Sequence, residues 1–159
     1  KLVVEYPDAH LNMIGPDKQD GSFKEAWKLV EKYNLTKSVS ITGAISKENV
    51  GQFLSEGDIF LNTTNYESFG VSVMEAAACG LRIGTTDAGA LPLLWQDGTD
   101  ALILPKGDPE AMANAVRRIL SDPIITASLS ENARKKAISY DWSVILPQWE
   151  EVLFKSITN

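Results

Sequence analysis

Short apolar runs alternate with stretches of helical periodicity along most of this chain, and this alternation is the feature that most restricts its fold. The apolar runs end at turn residues, and amphipathic stretches follow them. Such a pattern is typical of βα units, whose strands pair in parallel. The predicted strands are residues 11–14, 39–42, 58–62, 81–85 and 101–104. We therefore expect an α/β fold, a Rossmann-like parallel sheet with helices on both faces, in one domain over residues 1–159.

Turn and capping residues mark where several helices begin and end. The pairs Asp108-Pro109 and Asp122-Pro123 each put a carboxylate at the N-cap and a proline at the first helical position. A helix from Ser22 is predicted to begin with a capping box, because Glu25 follows three residues later. Gly80 predicts the end of the helix before it.

Charge and composition exclude several classes of function. Fifteen Lys and Arg against 21 Asp and Glu give a net charge of −6, without the basic clusters that nucleic acid or anionic lipid requires. A single cysteine, Cys79, and a single histidine, His10, exclude a disulfide within the chain and a Cys/His zinc cluster. We expect both residues to be structural.

No stretch of this sequence is predicted to cross a membrane. The longest stretches free of charged residues, 38–46 and 88–96, have nine residues each, against roughly 18 or more for a membrane span. No signal peptide is visible either. We therefore expect a reducing, cytoplasmic setting.

Residues 62–80 are the segment most indicative of function. The sequence predicts here the end of a strand, a polar loop and a helix rich in small residues. Ligands of open parallel sheets bind outside the carboxyl ends of the strands, which is where this loop must lie. Unpaired backbone N–H groups of Phe69, Gly70 and Val71 at the helix start would form an anion site. Gly70 has no Cβ and so lets a ligand approach the backbone.

Two carboxylates flank that predicted anion site. Glu67 lies in the loop, and Glu75 lies about one turn into the helix, ~6 Å along its axis. Both could therefore contact one elongated ligand. Because the neighbours of Glu75 in sequence are apolar, its charge needs a partner, and a pair of sugar hydroxyls would serve.

These segments resemble a known family. The resemblance rests on Glu67-x7-Glu75, the Glu-Ser-Phe-Gly loop, the Glu-Ala-Ala-Ala-Cys-Gly helix, and the motifs that begin at Asp87, Gln96 and Gly107. Together they resemble the C-terminal domain of family 4 retaining glycosyltransferases of the GT-B type. Residues 6–15 and 39–44 are similar to the preceding strands of that domain. The resemblance covers nearly the whole chain and keeps the order of its segments.

The resemblance implies a nucleotide-sugar donor site, with a UDP-, GDP- or ADP-sugar as substrate and with neither a metal nor another cofactor. It implies that Glu75 holds the ribose hydroxyls and that Glu67, the catalytic candidate, contacts the hexose being transferred. Donor-binding roles toward the sugar and the diphosphate fall to Ser68, Phe69, Gly70 and Val71. A strand end near the nucleotide base would comprise Thr42, Gly43, Ala44 and Ile45.

The same resemblance implies that part of the enzyme lies elsewhere. The cations that grip the diphosphate and the acceptor-binding N-terminal domain would precede Lys1, so we expect this chain to be part of a longer protein. Alone it should bind donor weakly and have no transferase activity. The implied partners are the donor and the N-terminal domain of the same protein, with no nucleic acid, and membrane contact of the full-length protein is left open. Two residues depart from the family pattern, Arg82 where proline is common and Leu93 where glutamate is common.

Two alternatives to a glycosyltransferase stay open from the sequence. One is a nucleotide-sugar epimerase of related fold, and the other is a non-catalytic module that binds a nucleotide or a protein partner. The four tryptophans, Trp27, Trp95, Trp142 and Trp149, are predicted to be core or interface anchors. A last helix, residues 142–157, is expected to be kinked or delayed by Pro147 and to present Trp149 or Phe154 to the N-terminal domain.

Overall fold

The computed structural model describes residues 1–157. These residues form eight helices and five strands, close to the predicted elements. In chain order they are α1 (Leu2–Glu5), β1 (Leu11–Ile14), α2 (Ser22–Lys32), β2 (Val39–Gly43), α3 (Lys47–Ser55), β3 (Ile59–Asn62), α4 (Val71–Ala78), β4 (Arg82–Thr86), α5 (Leu91–Leu94), β5 (Leu102–Leu104), α6 (Pro109–Ser121), α7 (Pro123–Ser139) and α8 (Trp142–Ile157).

The strands pair in parallel, as predicted, but they form two sheets. One sheet has the order β1-β2 and the other has the order β3-β4-β5. The chain divides accordingly into two compact units, Lys1–Val50 and a second unit from Gly51 onward. Strand-helix alternation predicts parallel pairing but does not determine which strands are neighbours, so it could not reveal this division. The single domain over residues 1–159 stays a prediction.

The first unit is a βαβ arrangement in which α2 connects β1 to β2. The ladder pairs Leu11 with Val39 and shifts its register after Met13. Val30 of α2 and Val39 are buried, with 5% and 8% of their surface exposed. Every residue of β1 is exposed, so this unit has a small core.

The second unit is built around β4, which lies between β3 and β5. Residues 83–86 are all buried although successive side chains of a strand point to opposite faces. The strand is therefore covered on both sides, as is usual for parallel sheets. One buried cluster against this sheet comprises Leu102, Ala115, Ile119 and Leu129.

Small residues let α4 and α7 pack closely, because interaxial distance depends on the side chains between two helices. Ala76 and Ala77 of α4 are completely buried, as is Ala133 of α7. The Ser130 hydroxyl of α7 also donates to the Gly80 carbonyl just beyond α4, at 2.6 Å. The contacts with α7 thus fix the position of α4.

Two of the predicted helix starts and one predicted end are confirmed. Asp108 accepts hydrogen bonds from the N–H groups of Glu110 and Ala111 at the start of α6, and Asp122 caps α7 in the same way. At the end of α4, the N–H of Gly80 donates to Ala77 and that of Leu81 to Ala76. This pair of bonds is a Schellman motif, in which the glycine has the left-handed conformation.

The predicted capping box at Ser22 is wrong. Gly21, not Ser22, is the N-cap of α2, and as a glycine it has no side chain with which to cap the helix. Instead, the Ser22 hydroxyl and N–H donate to the Asp20 carboxylate, at 2.5 and 3.0 Å. Asp20 lies two residues before Ser22 and competes for the serine, which lowers the pKa of the Asp20 carboxyl.

Helix α8 runs through Pro147 without a break and exposes most of its apolar side chains. Trp142 and Trp149 are 74% and 57% exposed, so in this structure they are not core anchors; of the four tryptophans only Trp95 is buried. At the start of α8, the Ser143 hydroxyl and N–H donate to the Asp141 carboxylate and lower its pKa. Among residues 1–157, no helix combines the length and the hydropathy that a membrane span needs. The cytoplasmic setting stays a prediction.

The cap at Asp122 gives a direct test of this fold. In Asp122→Ala the N–H groups of Ile124 and Ile125, now 3.0 Å from the carboxylate, lose their acceptor. We expect the free energy of unfolding to fall by about 1 kcal/mol, measured by urea denaturation. Asp8→Ala, which removes an exposed carboxylate from a turn, should stay within about 0.5 kcal/mol of the wild type. Equal losses in both variants would contradict the capping role.

Candidate functional site

The candidate site lies on the loop that joins β3 to α4. β3 ends at Asn62, at the carboxyl edge of the three-stranded sheet, and α4 begins at Val71. The structure therefore brings the predicted residues 67–71 together at one helix start, with Glu75 about 6 Å further along the helix axis. This is the sheet edge at which open α/β folds bind ligands.

Hydrogen bonds from two strand ends fix the course of this loop. The Thr86 hydroxyl, at the end of β4, donates to the Thr64 carbonyl at 2.6 Å. The Asn62 side-chain oxygen accepts from the Thr64 N–H at 3.1 Å, and the Thr64 hydroxyl donates to the Tyr66 carbonyl at 2.6 Å. Sequence reasoning missed Thr64 and Thr86. The sequence feature that could have identified this pair is a threonine at the end of a strand, Thr86, and another threonine in a loop that follows the neighbouring strand, Thr64.

Gly70 is the N-cap of α4 and has φ 84° and ψ 51°, in the left-handed region. A Cβ at this position would lie 2.7 Å from Cδ2 of the buried Leu91, so space as well as conformation requires glycine. The helix makes its first intrahelical bond from the Met74 N–H to the Gly70 carbonyl, at 3.0 Å. No side chain of the described residues caps this end. The N–H groups of its first turn are therefore available to an anion.

The two candidate carboxylates differ in how they are held. Glu67 is half-buried, and its Oε1 accepts from the N–H of Ser68 at 3.0 Å. Glu75 is also half-buried, and it lies between the fully buried Val73 and Ala76 in sequence. Within residues 1–157 we find no hydrogen bond or ion pair to the Glu75 carboxylate. A half-buried charge of this kind can accept hydrogen bonds from a ligand without breaking any other contact.

An aromatic contact supports the loop from outside. Phe69 packs edge-to-face on Tyr140, with ring centroids 5.7 Å apart and an interplanar angle of 71°. Tyr140 is the C-cap residue of α7, which packs on α4. The two residues are far apart in the sequence, and no sequence pattern pointed to this pair.

The two departures from the family pattern have different structural settings. The Arg82 N–H donates to the Asp58 carbonyl at 3.2 Å, a bond that proline could not make. Leu93 lies in α5 and is 88% exposed. Arg82 thus has a reason to stand at the start of β4, whereas nothing in the structure explains Leu93.

The residues predicted to lie near a base belong to the first unit and are described by themselves. Thr42 and Gly43 end β2, and Ala44 and Ile45 follow it before α3. A pocket of about 210 Å³ opens at the carboxyl end of β1, beside α2. Its lining residues are Met13, Ile14, Gly15, Pro16, Ser22, Phe23, Ala26 and Ile41. Thr42 to Ile45 do not line that pocket, and their role toward a base stays a prediction.

No group of three or more His, Cys, Asp or Glu side chains in the described part of the chain is arranged to hold a metal ion. That the site works without a metal stays a prediction.

Two curated proteins of Arabidopsis thaliana are similar to this chain. One is a subunit of phosphatidylinositol N-acetylglucosaminyltransferase, which is 32% identical over 128 residues, or 80% of this chain and 28% of the relative. The other is a sulfoquinovosyl transferase, which is 28% identical over 144 residues, or 89% of this chain and 27% of the relative. The chain thus spans little more than a quarter of the length of these relatives.

Solved structures share its fold. A sucrose-phosphate synthase from Thermosynechococcus elongatus superposes with a TM-score of 0.85 at 27% identity, over 98% of this chain and 40% of that protein. A HepE protein from Anabaena, solved in complex with UDP, superposes with a TM-score of 0.86 at 23% identity, over 94% of this chain and 42% of that protein. The predicted α/β fold of a GT-B C-terminal domain is confirmed.

The family itself is identified by a sequence model rather than by any one relative. The narrower assignment to family 4 stays a prediction. Residues 1–136 match the model described as "Glycosyl transferases group 1", well over half of the chain, and the chain therefore belongs to that family.

Proposed function

We propose that this chain is the donor-binding domain of a retaining glycosyltransferase, which transfers a hexose-type sugar from a nucleotide diphosphate to an acceptor held by another part of the protein. One observation carries the proposal. Helix α4 begins at Val71, and its N-cap residue, Gly70, provides no side chain to bind the first N–H groups. Glu67 lies three residues before Gly70, and Glu75 lies about one turn inside the helix. This arrangement suits a ligand that has phosphates in the middle and hydroxyls at both ends.

The phosphates would be bound by the start of α4. The chain carries a net charge of −6, so its overall field does not attract anions. Backbone N–H groups at a helix start and the positive end of the helix dipole attract them locally. As the bond to the sugar breaks, negative charge grows on the leaving phosphate, and donors already held in place stabilise that charge.

Glu75 would hold the ribose of the donor. Its carboxylate has two acceptor oxygens, and two vicinal ribose hydroxyls could each donate to one of them. The apolar neighbours of Glu75 lower the local dielectric and make such hydrogen bonds stronger. The position of Glu75 beyond the phosphate site agrees with the position of ribose next to a diphosphate.

Glu67 would contact the sugar being transferred. The N–H of Ser68 binds one carboxylate oxygen, which restricts the orientation of the side chain. The other oxygen is then available to a sugar hydroxyl or to positive charge that develops at the anomeric carbon. Phe69 and Val71 would complete the donor site through their backbone N–H groups. The Ser68 N–H already donates to Glu67, so Ser68 would contribute its hydroxyl instead.

The relatives support the class of sugar, and the fold supports the choice of nucleotide to test first. Both curated relatives are named for the transfer of a hexose-derived sugar, and a protein of the same fold was solved with UDP. Nothing in these comparisons favours the epimerase alternative. A non-catalytic module on this fold is the second outcome that the experiments below can give.

The acceptor-binding partner would be the N-terminal half of the same protein. The chain spans 28% and 27% of the two curated relatives described above, which leaves room in a full-length protein for that half. Trp149 and Val152 of α8, 57% and 61% exposed, form an apolar surface suited to a contact with it.

Removal of the Glu75 carboxylate should weaken nucleotide binding. Two hydrogen bonds to a charged group are lost in Glu75→Ala, so we expect the affinity of the best-bound nucleotide among UDP, GDP and ADP to fall by at least about tenfold. Ligand-observed NMR at millimolar nucleotide detects such weak binding.

Glu131→Ala is the matched control for this experiment. Glu131 is exposed on α7 and pairs with Lys135 at 2.7 Å. Nucleotide affinity should be unchanged in this variant, because Glu131 is not among the proposed donor-binding residues. Loss of a surface ion pair also changes folding stability little. If Glu75→Ala bound the nucleotide as tightly as the wild type does, the ribose role of Glu75 would be wrong.

Neutralisation of Glu67 should separate binding from transfer. In the full-length protein, Glu67→Gln keeps the shape of the side chain and removes its charge. We expect sugar transfer to slow by about 100-fold, measured as nucleotide released with acceptor present, while nucleotide affinity changes little. Glu56→Gln, at an exposed turn before β3, should leave both quantities unchanged. Unaltered transfer in Glu67→Gln would favour a non-catalytic role for this residue.

A further inference from the structure

Gly89, in the turn between β4 and α5, approaches the backbone of Glu67 more closely than a side chain would allow. A Cβ at Gly89 would lie 1.6 Å from the Glu67 carbonyl oxygen, 2.7 Å from the carbonyl carbon and 3.4 Å from Cα. Real Cβ atoms essentially never come within 3.0 Å of another residue's atoms. Any residue other than glycine at position 89 must therefore displace one of the two segments.

The peptide group that Gly89 touches is also the one that orients the Glu67 carboxylate. The Glu67 carbonyl and the Ser68 N–H belong to one planar peptide, and that N–H donates to Oε1 of Glu67 at 3.0 Å. Because the plane is rigid, a displaced carbonyl also turns the N–H on its other side. We infer that Gly89 is a positioning residue, whose missing side chain keeps this peptide plane, and with it the Glu67 carboxylate, in the orientation that the donor site uses.

The turn that carries Gly89 is anchored on both sides and has little freedom to retreat. The Asp87 N–H donates to the Leu104 carbonyl at 2.9 Å, and the Asp87 carboxylate accepts from the Lys106 N–H at 3.1 Å. Ala88 and Leu91 on either side of Gly89 are completely buried. A new side chain at position 89 would therefore move the exposed loop rather than the turn.

The same segment also contacts the other end of the site loop. Leu91 lies against Gly70, where a Cβ would come within 2.7 Å of Cδ2 of the leucine. Residues 89–91 thus touch the loop at Glu67 and again at Gly70. The two contacts lie on either side of Ser68 and Phe69, so this segment supports the whole stretch of proposed donor-binding amides.

The inference rests on the proposed function only in the role of Glu67 toward the sugar; the orientation of the peptide is independent of it. The test therefore has a structural readout and a binding readout. The structural readout is the set of backbone amide NMR signals of residues 67–71 in the 159-residue chain. The binding readout is the affinity for UDP-glucose relative to UDP, by ligand-observed NMR.

Two substitutions at Gly89 are compared with the same substitutions at Gly107. Gly107 has φ +72°, similar to the +53° of Gly89, but a Cβ there would meet nothing within 4 Å. Alanine is strained at positive φ in both places, and asparagine is strained less. Gly107→Ala should therefore lower Tm, and Gly107→Asn should lower it less. Gly89→Ala and Gly89→Asn should each lower Tm more than the same substitution at Gly107, because both add a Cβ that clashes with Glu67. Asparagine reduces the backbone strain at position 89 but does not remove this clash.

We expect both Gly89 variants to shift the amide signals of residues 67–71, most at Ser68, and both Gly107 variants to leave them in place. UDP-glucose affinity relative to UDP should fall by about tenfold in the Gly89 variants, as for one lost hydrogen bond to a charged group. Unshifted amides in a folded Gly89→Asn variant would overturn the inference. If the amides shift but the wild type itself shows no preference for UDP-glucose, the positioning of the peptide stands and the assigned role of Glu67 toward this sugar fails.

Discussion

The parallel ladder between β3 and β4 determines where the residues of the candidate site lie. Its register pairs Asn62 with Thr85, so the two strands end side by side. Neighbouring strands are about 4.8 Å apart, and the segments that leave them must therefore pack against each other or diverge at once. Here they pack, through the Thr86 hydroxyl on the Thr64 carbonyl and through Gly89 on Glu67. A shift of this ladder by one residue would separate all of these contacts.

A chain with a net negative charge can bind a diphosphate only at a place where the local electrostatic field attracts anions. The start of α4 provides such a place, because its N–H groups point outward and no acidic residue lies in its first turn. Its residues are small and apolar, so the helix is kept in position by packing on α7 and on β4 rather than by charge. In the proposed function, Glu67 and Glu75 would bind hydroxyls before and after this start and so would not compete for the phosphates.

The features that sequence reasoning predicted correctly depend on few neighbouring residues. The Asp108 and Asp122 caps and the Gly80 helix end are set within four or five residues, and the structure confirms them. Ser22 shows where such local rules fail, since Asp20 offered the serine a nearer partner than the capping box did. Helical periodicity places Leu120 of α6 on the same face as the buried Val116, yet Leu120 is 46% exposed, whereas Ala115 of that helix is buried. The width of a buried stripe depends on what covers the helix, and a helical period does not contain that information.

Contacts between segments distant in sequence account for what could not be predicted at the site. Neither the Phe69–Tyr140 pair nor the approach of Gly89 to Glu67 follows from any periodicity. Yet the family resemblance included both the Glu-Ser-Phe-Gly loop and the motif that begins at Asp87, in a fixed order. In the structure these two motifs touch, and each contributes a glycine to the contact, Gly70 against Leu91 and Gly89 against Glu67. A glycine at such a contact lets the two backbones approach more closely than any other residue would. The loop of residues 67–71 must hold a carboxylate and several amides in fixed relative positions, and its contacts with residues 89–91 help to fix them. This dependence is a physical reason for the two motifs to occur together in one chain.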